Sequence, residues 1–162
     1  MAVRALTRLI PAVLLLAFAA AAPAQGCFGP KLYIGVAAEA RQEMLFALVS
    51  LYVAEKTGVQ SERVDLRGGD PGQALHGEQV DLAFAVAPPA GTEVVLAVAG
   101  YPLLASGSRP LTDLQFTTVV PALRKLAGLL TPRDLAELEA RIRDGATPLA
   151  AARGLCQERR WL

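Results

Sequence analysis

The chain has 162 residues, with 16 Lys and Arg against 15 Asp and Glu, one His and two Cys. A formal charge of +1 and the lack of a basic patch interleaved with aromatics exclude an electrostatic nucleic-acid binder. Two distant cysteines and a lone His76 exclude a ligand-spaced metal set, so neither metal nor cofactor is expected.

The first elements in chain order are those of an export signal. Arg4 and Arg8 form a basic start, and Leu9 to Ala22 is an apolar run broken only by Pro11. Ala22-Pro23-Ala24 then offers small residues for cleavage, so residues 1–24 read as a signal peptide. The run is short for a bilayer span, which needs about 20 residues. An uncleaved anchor is the competing reading. Cleavage leaves residues 25–162 as a single periplasmic or secreted domain, with a charge of −1 once the two arginines are removed. In an oxidising compartment Cys27 and Cys156 are expected to form a disulfide. Two free thiols, or a lipoprotein acylated at Cys27, are the alternatives. Ala24-Gln25-Gly26 lacks the aliphatic residue usual three positions before an acylated cysteine.

Lys31 to Val36 is rich in β-branched and aromatic residues and predicts a strand. From Arg41 to Lys56 the spacing of Met44, Leu45, Leu48, Leu51 and Tyr52 predicts a helix. A second stripe of Phe46, Val49 and Val53 implies burial on more than one side. Gly58 supplies a stop at the C′ position. Arg63 to Leu66 is a weaker strand, Gly68 to Gly72 a turn, and Gln73 to His76 a single helical turn. Asp81 to Ala87 and Glu93 to Ala99 read as buried strands, parted by Pro88-Pro89-Ala90-Gly91.

The last third is helical. Pro121 opens a helix facing inward with Leu123, Leu126 and Leu130. Thr131-Pro132-Arg133-Asp134 is a variant capping box for a helix with Leu135, Leu138 and Ile142 on one face. Thr147-Pro148 repeats the start signal for a helix carrying Leu149, Ala152 and Cys156. Strands alternating with helices predict a three-layer αβα domain with a mainly parallel sheet, helices on both faces and a helical C-terminal part.

Read together, these elements resemble one family. Lys31-Leu32-Tyr33-Ile34-Gly35, Gln42, Glu55-Lys56-Thr57-Gly58, Gly68-Gly69, Ala74-Leu75, Gly77-Glu78 and Asp81-Leu82 follow one another in order. Pro121-Ala122-Leu123, Leu126-Ala127-Gly128, Leu129, Thr131, Glu137-Leu138 and Trp161-Leu162 continue it. The order resembles substrate-binding proteins of glycine betaine/choline/carnitine-type ABC transporters, which have the type 2 periplasmic-binding-protein fold. That resemblance implies a solute-binding, non-catalytic protein, with an ABC permease or another periplasmic protein as partner and a small cationic solute as ligand.

The family traps its ligand between two lobes, the second inserted in the first. Here residues 88–92 leave no room for a lobe, so the resemblance implies a one-lobe version. The ligand-facing signatures also differ. Glu39-Ala40-Arg41-Gln42 keeps only the Gln of the family's aromatic-Thr-Glu-Gln, Ala85-Val86-Ala87 replaces its acidic-aromatic pair, and Glu139 replaces an Asn. Weak or altered binding is the expectation. Ligands in open parallel sheets gather at strand carboxyl ends. This places Glu39, Gln42, Gly68, Gly69 and Asp70 as ligand-binding candidates, against a reading as solvated acids and turn glycines. Loss of a lobe also leaves an apolar surface for a partner or for a homodimer. No nucleophile–base arrangement stands out, so no enzyme activity is expected.

Overall fold

The computed structural model describes residues 29–162; residues 1–24, expected to be a signal peptide, and Cys27 lie outside the described residues. The chain forms β1 (Lys31–Val36), α1 (Ala40–Thr57), β2 (Gln60–Asp65), α2 (Pro71–His76) and β3 (Leu82–Ala85). It continues with β4 (Glu93–Leu96), β5 (Leu103–Ser106), the short α3 (Arg109–Thr112) and a 3-10 turn at Leu114–Phe116. The remaining elements are helices α4 (Val119–Leu129), α5 (Pro132–Arg143) and α6 (Pro148–Glu158).

The five strands make one mixed sheet in the order β2-β1-β3-β5-β4. β1 pairs parallel with β2 and β3, whereas β5 runs antiparallel between β3 and β4. The mainly parallel sheet expected from sequence is therefore corrected: only its first half is parallel. The difference lies in Leu103–Ser106, a four-residue strand without periodicity that the sequence hides against a Ser-Gly-Ser loop. Gly100, at φ 84°, allows the turn in which the Tyr101 N–H donates to the Val98 carbonyl, and this sends the chain back as β5. β5 fills the place beside β3 that β4 would otherwise take.

The two faces are covered unequally. Leu32, Ile34, Val36, Leu82, Phe84, Leu96 and Leu104 point to the side that α1, α4, α5 and α6 cover, and form the main core with them. The opposite face is made of small residues. Ala83 and Ala105 lie under Ala74 and Leu75 of α2, and Leu66 lies over Gly35, where a Cβ would meet it at 3.0 Å. Residues 86–92 cross from the carboxyl end of β3 to the amino end of β4 and pack on α2, Pro89 over Gly72 and Gly91 against His76. One short helix and a proline loop thus stand where a full helical layer was expected.

Local signals in the sequence set several helix ends. α1 ends in Gly58 at φ 75°, whose N–H donates to the Ala54 carbonyl. The capping box at Thr131 and Asp134 is complete. Asp134 is held there as a carboxylate: burial pushes it up, but hydrogen bonds from Thr131 and Arg159 bring it below its usual range. That contact also ties the start of α5 to the end of α6. Leu149, expected on the buried stripe of α6, is half exposed in the first turn of the helix, whose buried residues are Ala151, Ala152, Leu155 and Cys156.

Tyr52 is fully buried in α1 and, among the described residues, its hydroxyl has no hydrogen-bond partner. A buried hydroxyl left unpaired loses its water without compensation. Tyr52→Phe is therefore expected to stabilise the domain by about 1 kcal/mol, raising Tm by about 2–4 °C in a thermal melt followed by circular dichroism. A fall in Tm would show that the hydroxyl is paired in solution.

Candidate functional site

In a doubly wound half-sheet, the order 2-1-3 opens a crevice where the crossovers diverge, at the carboxyl ends of β1 and β3. Four stretches meet there: the loop after β1, the first turn of α1, the end of β3 and the turn between β4 and β5. Ala37 begins the loop, and its N–H donates to the buried Gln42 Oε1 at 2.7 Å. Gln42, one of the expected ligand-binding residues, thus uses its acceptor to fold the loop back on α1. Glu39 occupies the N-cap position of α1 but makes no side-chain capping bond, and it is exposed.

A hollow of 390 Å³ lies at this edge, lined by Glu39, Arg41, Val86, Gly100, Tyr101 and Pro102. A second, of 380 Å³ and more apolar, is lined by Ala40, Arg41, Met44, Glu139, Ile142 and Arg143. Arg41 is common to both. Its guanidinium carbon stands 5.2 Å from the centre of the Tyr101 ring, and its Nε donates to Glu139 Oε1 at 2.8 Å. Burial raises the Tyr101 phenol above its ordinary range, with the nearby Glu139 carboxylate adding to this and Arg41 opposing it. The ring face that could hold a cation is thus covered by Arg41. Val86, at the lip, is 90% exposed although the strand before it is buried throughout.

Gly68, Gly69 and Asp70 also follow a strand carboxyl end, but local structure accounts for them. Arg67 and Gly68 both have positive φ, 49° and 77°, and the Gly69 N–H donates to the Leu66 carbonyl at 2.7 Å. That is a tight turn of the I′ kind, which calls for glycine. Asp70 caps α2, its Oδ1 accepting from the Gln73 N–H at 2.7 Å. None of the three lines either hollow beside Arg41. Of the expected ligand-binding residues, Glu39 alone lines the crevice hollow. Arg41, Tyr101 and Val86 were not singled out, because no spacing in sequence links a helix's first turn to a hairpin 60 residues away. The altered signature stretches that contain Arg41 and Val86, and the substitution at Glu139, were the traces of the cluster in sequence.

At the other end of the sheet is a hollow of 530 Å³, lined by residues that include His76, Glu78, Glu93, Ser106 and Ser108. The Ser106 hydroxyl donates to the Gly107 carbonyl at 3.0 Å, not to His76. Among the described residues no group of three His, Cys, Asp or Glu side chains is placed to hold a metal ion. Cys156 is fully buried, and burial pushes its thiol up to about 11. Its expected disulfide partner, Cys27, lies outside the described residues, as does the acylation considered there. No helix among the described residues is long and apolar enough to cross a membrane.

The chain matches no protein-family model, no curated protein and no solved structure.

Proposed function

We propose that the chain is an exported, non-catalytic solute-binding module, a one-lobe relative of the type 2 binding proteins of glycine betaine/choline-type transporters. It would act in the periplasm, alongside a permease or another protein. The observation that carries this reading is the hollow at the carboxyl ends of β1 and β3, with Glu39, Arg41 and Tyr101 on its wall. The parallel β2-β1-β3 order supports it, since that order puts a ligand crevice at this edge. Residues 86–92 support the one-lobe form, because they are wholly used in crossing from β3 to β4 over α2.

Binding by such an edge is weak, for two physical reasons. A single wall leaves much of a ligand in water, whereas tight pockets cover 70–90% of it. In addition, a quaternary ammonium must displace Arg41 to reach the Tyr101 ring, and one such ring contributes only about 0.5–2 kcal/mol. Arg41→Ala frees the ring and leaves Glu39 as counter-charge. Choline should then bind about tenfold more tightly than to the wild-type chain by calorimetric titration, and Tyr101→Ala should remove the gain. Heats indistinguishable from dilution for both the wild-type chain and the Arg41→Ala variant would refute the solute reading.

A second reading, an interaction module on the same scaffold, is favoured by one feature. Val86 presents an exposed isopropyl group at the lip of the crevice, where a solute site would place a polar or aromatic residue.

A further inference from the structure

The two hollows meet at Arg41, and the charges of the surface around them have a pattern. Arg41 and Glu139, in the middle, are paired with each other. Glu39 stands in one hollow and Arg143 in the other. Both are exposed, and among the described residues neither has an ion-pair partner, although most neighbouring charges do. The surface therefore has an unpaired acid on one side of a neutralised centre and an unpaired base on the other. Apolar groups fill the space between and beside them: the exposed Val86, Tyr101 and the half-buried Ile142.

In a two-fold contact each residue meets its counterpart's complement, so that if i touches j, then j touches i. A surface with one free acid and one free base on opposite sides of its centre satisfies this rule with its own copy. We propose that this edge is the interface of a homodimer, in which Glu39 of each copy pairs with Arg143 of the other and Val86 and Tyr101 are covered between them. A second copy then closes the crevice that a single lobe leaves open. The inference uses the same edge as the solute reading but does not require a solute.

The test is sedimentation equilibrium of the chain expressed from its full sequence, at concentrations up to about 1 mM. The expected result is a reversible monomer–dimer equilibrium. Glu39→Arg and Arg143→Glu should each weaken it about tenfold or more, since each sets like charges opposite one another. The double variant Glu39→Arg/Arg143→Glu restores opposite charges and should recover most of the loss. Val86→Arg, a surface change without effect on the core, should also weaken the dimer. A monomer at every concentration would overturn the proposal, even if choline binds. So would a dimer indifferent to all four variants, since its interface would lie elsewhere. A failure of the double variant to recover, with the fold intact by circular dichroism, would refute the Glu39–Arg143 pairing.

Discussion

Phe84→Ala should cost the domain about 3–5 kcal/mol, as expected for deleting a fully buried ring from a packed core. Phe84 is on the central strand β3, opposite Leu104, with no exposed surface. It belongs to the core shared by the sheet and the helices α1, α4, α5 and α6. A domain of this size has only about 5–15 kcal/mol in total, so the variant should be marginal near 37 °C. Urea unfolding followed by circular dichroism gives the readout: the midpoint should fall sharply while the slope stays the same. A loss below about 1 kcal/mol would show that β3 is not central, and with it would go the strand order on which the crevice depends.

Arg109→Met should cost about 2–4 kcal/mol. The partner is Asp81, a carboxylate with only 5% of its side chain exposed, at 3.2 Å from Arg109 Nη1. Asp81 also accepts the Tyr33 N–H at 2.7 Å, and so fastens the amino end of β3 to β1. Arg109 further lies 4.8 Å from the centre of the Phe116 ring and donates to the Lys31 carbonyl. Removing one member of a fully buried pair costs about 3–5 kcal/mol, because the other charge stays buried and uncompensated. Arg109 keeps 39% of its side chain in water, which lowers the figure.

The sign of the pH dependence follows from the same geometry. Burial raises the Asp81 carboxyl above its ordinary value of 3.8, opposed by the Tyr33 N–H and by Arg109. A carboxyl raised in the fold is a stability cost when ionised: the fold gains below the unfolded value and loses as the pH rises through the folded one. Without Arg109 the carboxyl rises further, so the variant's deficit should be largest at neutral pH and shrink as the pH falls toward 4. Urea midpoints of both proteins at pH 4.5 and pH 7 measure this. A deficit that does not change with pH would show that Arg109 acts through its packing on Phe116 and its bond to the Lys31 carbonyl, not through Asp81.

Much of the fold was legible in local chemistry. Lys31–Val36 is a strand with the bounds expected, and the long helix extends only one residue beyond its expected ends on each side. The Thr131 and Thr147 caps are both made, since an N-cap hydroxyl, a proline after it and an N–H to satisfy all lie within four residues. The strand Leu103–Ser106 was not legible. Four residues carry no period, and its identity as a strand depends on β3 and β4, which leave a row of open hydrogen-bonding groups for it.

The crevice divides in the same way. Gly68, Gly69 and Asp70 proved to be a turn and a helix cap; the turn was read from composition, whereas the cap was not, since the short helix was expected to begin at Gln73 and it begins at Pro71. Arg41 over Tyr101, with Glu139 beside it, joins three elements 60 and 98 positions apart from Arg41 along the chain. The sequence by itself determined the long helix, the two threonine-capped helix starts and most of the main core, because capping and hydrophobic periodicity act over a few residues. Only the tertiary structure decided that half of the sheet turns antiparallel, that a proline loop covers the second face, and which charges are left unpaired at the sheet's edge. Those outcomes depend on which groups remain unsatisfied once distant segments have packed, and no short stretch of sequence contains that information.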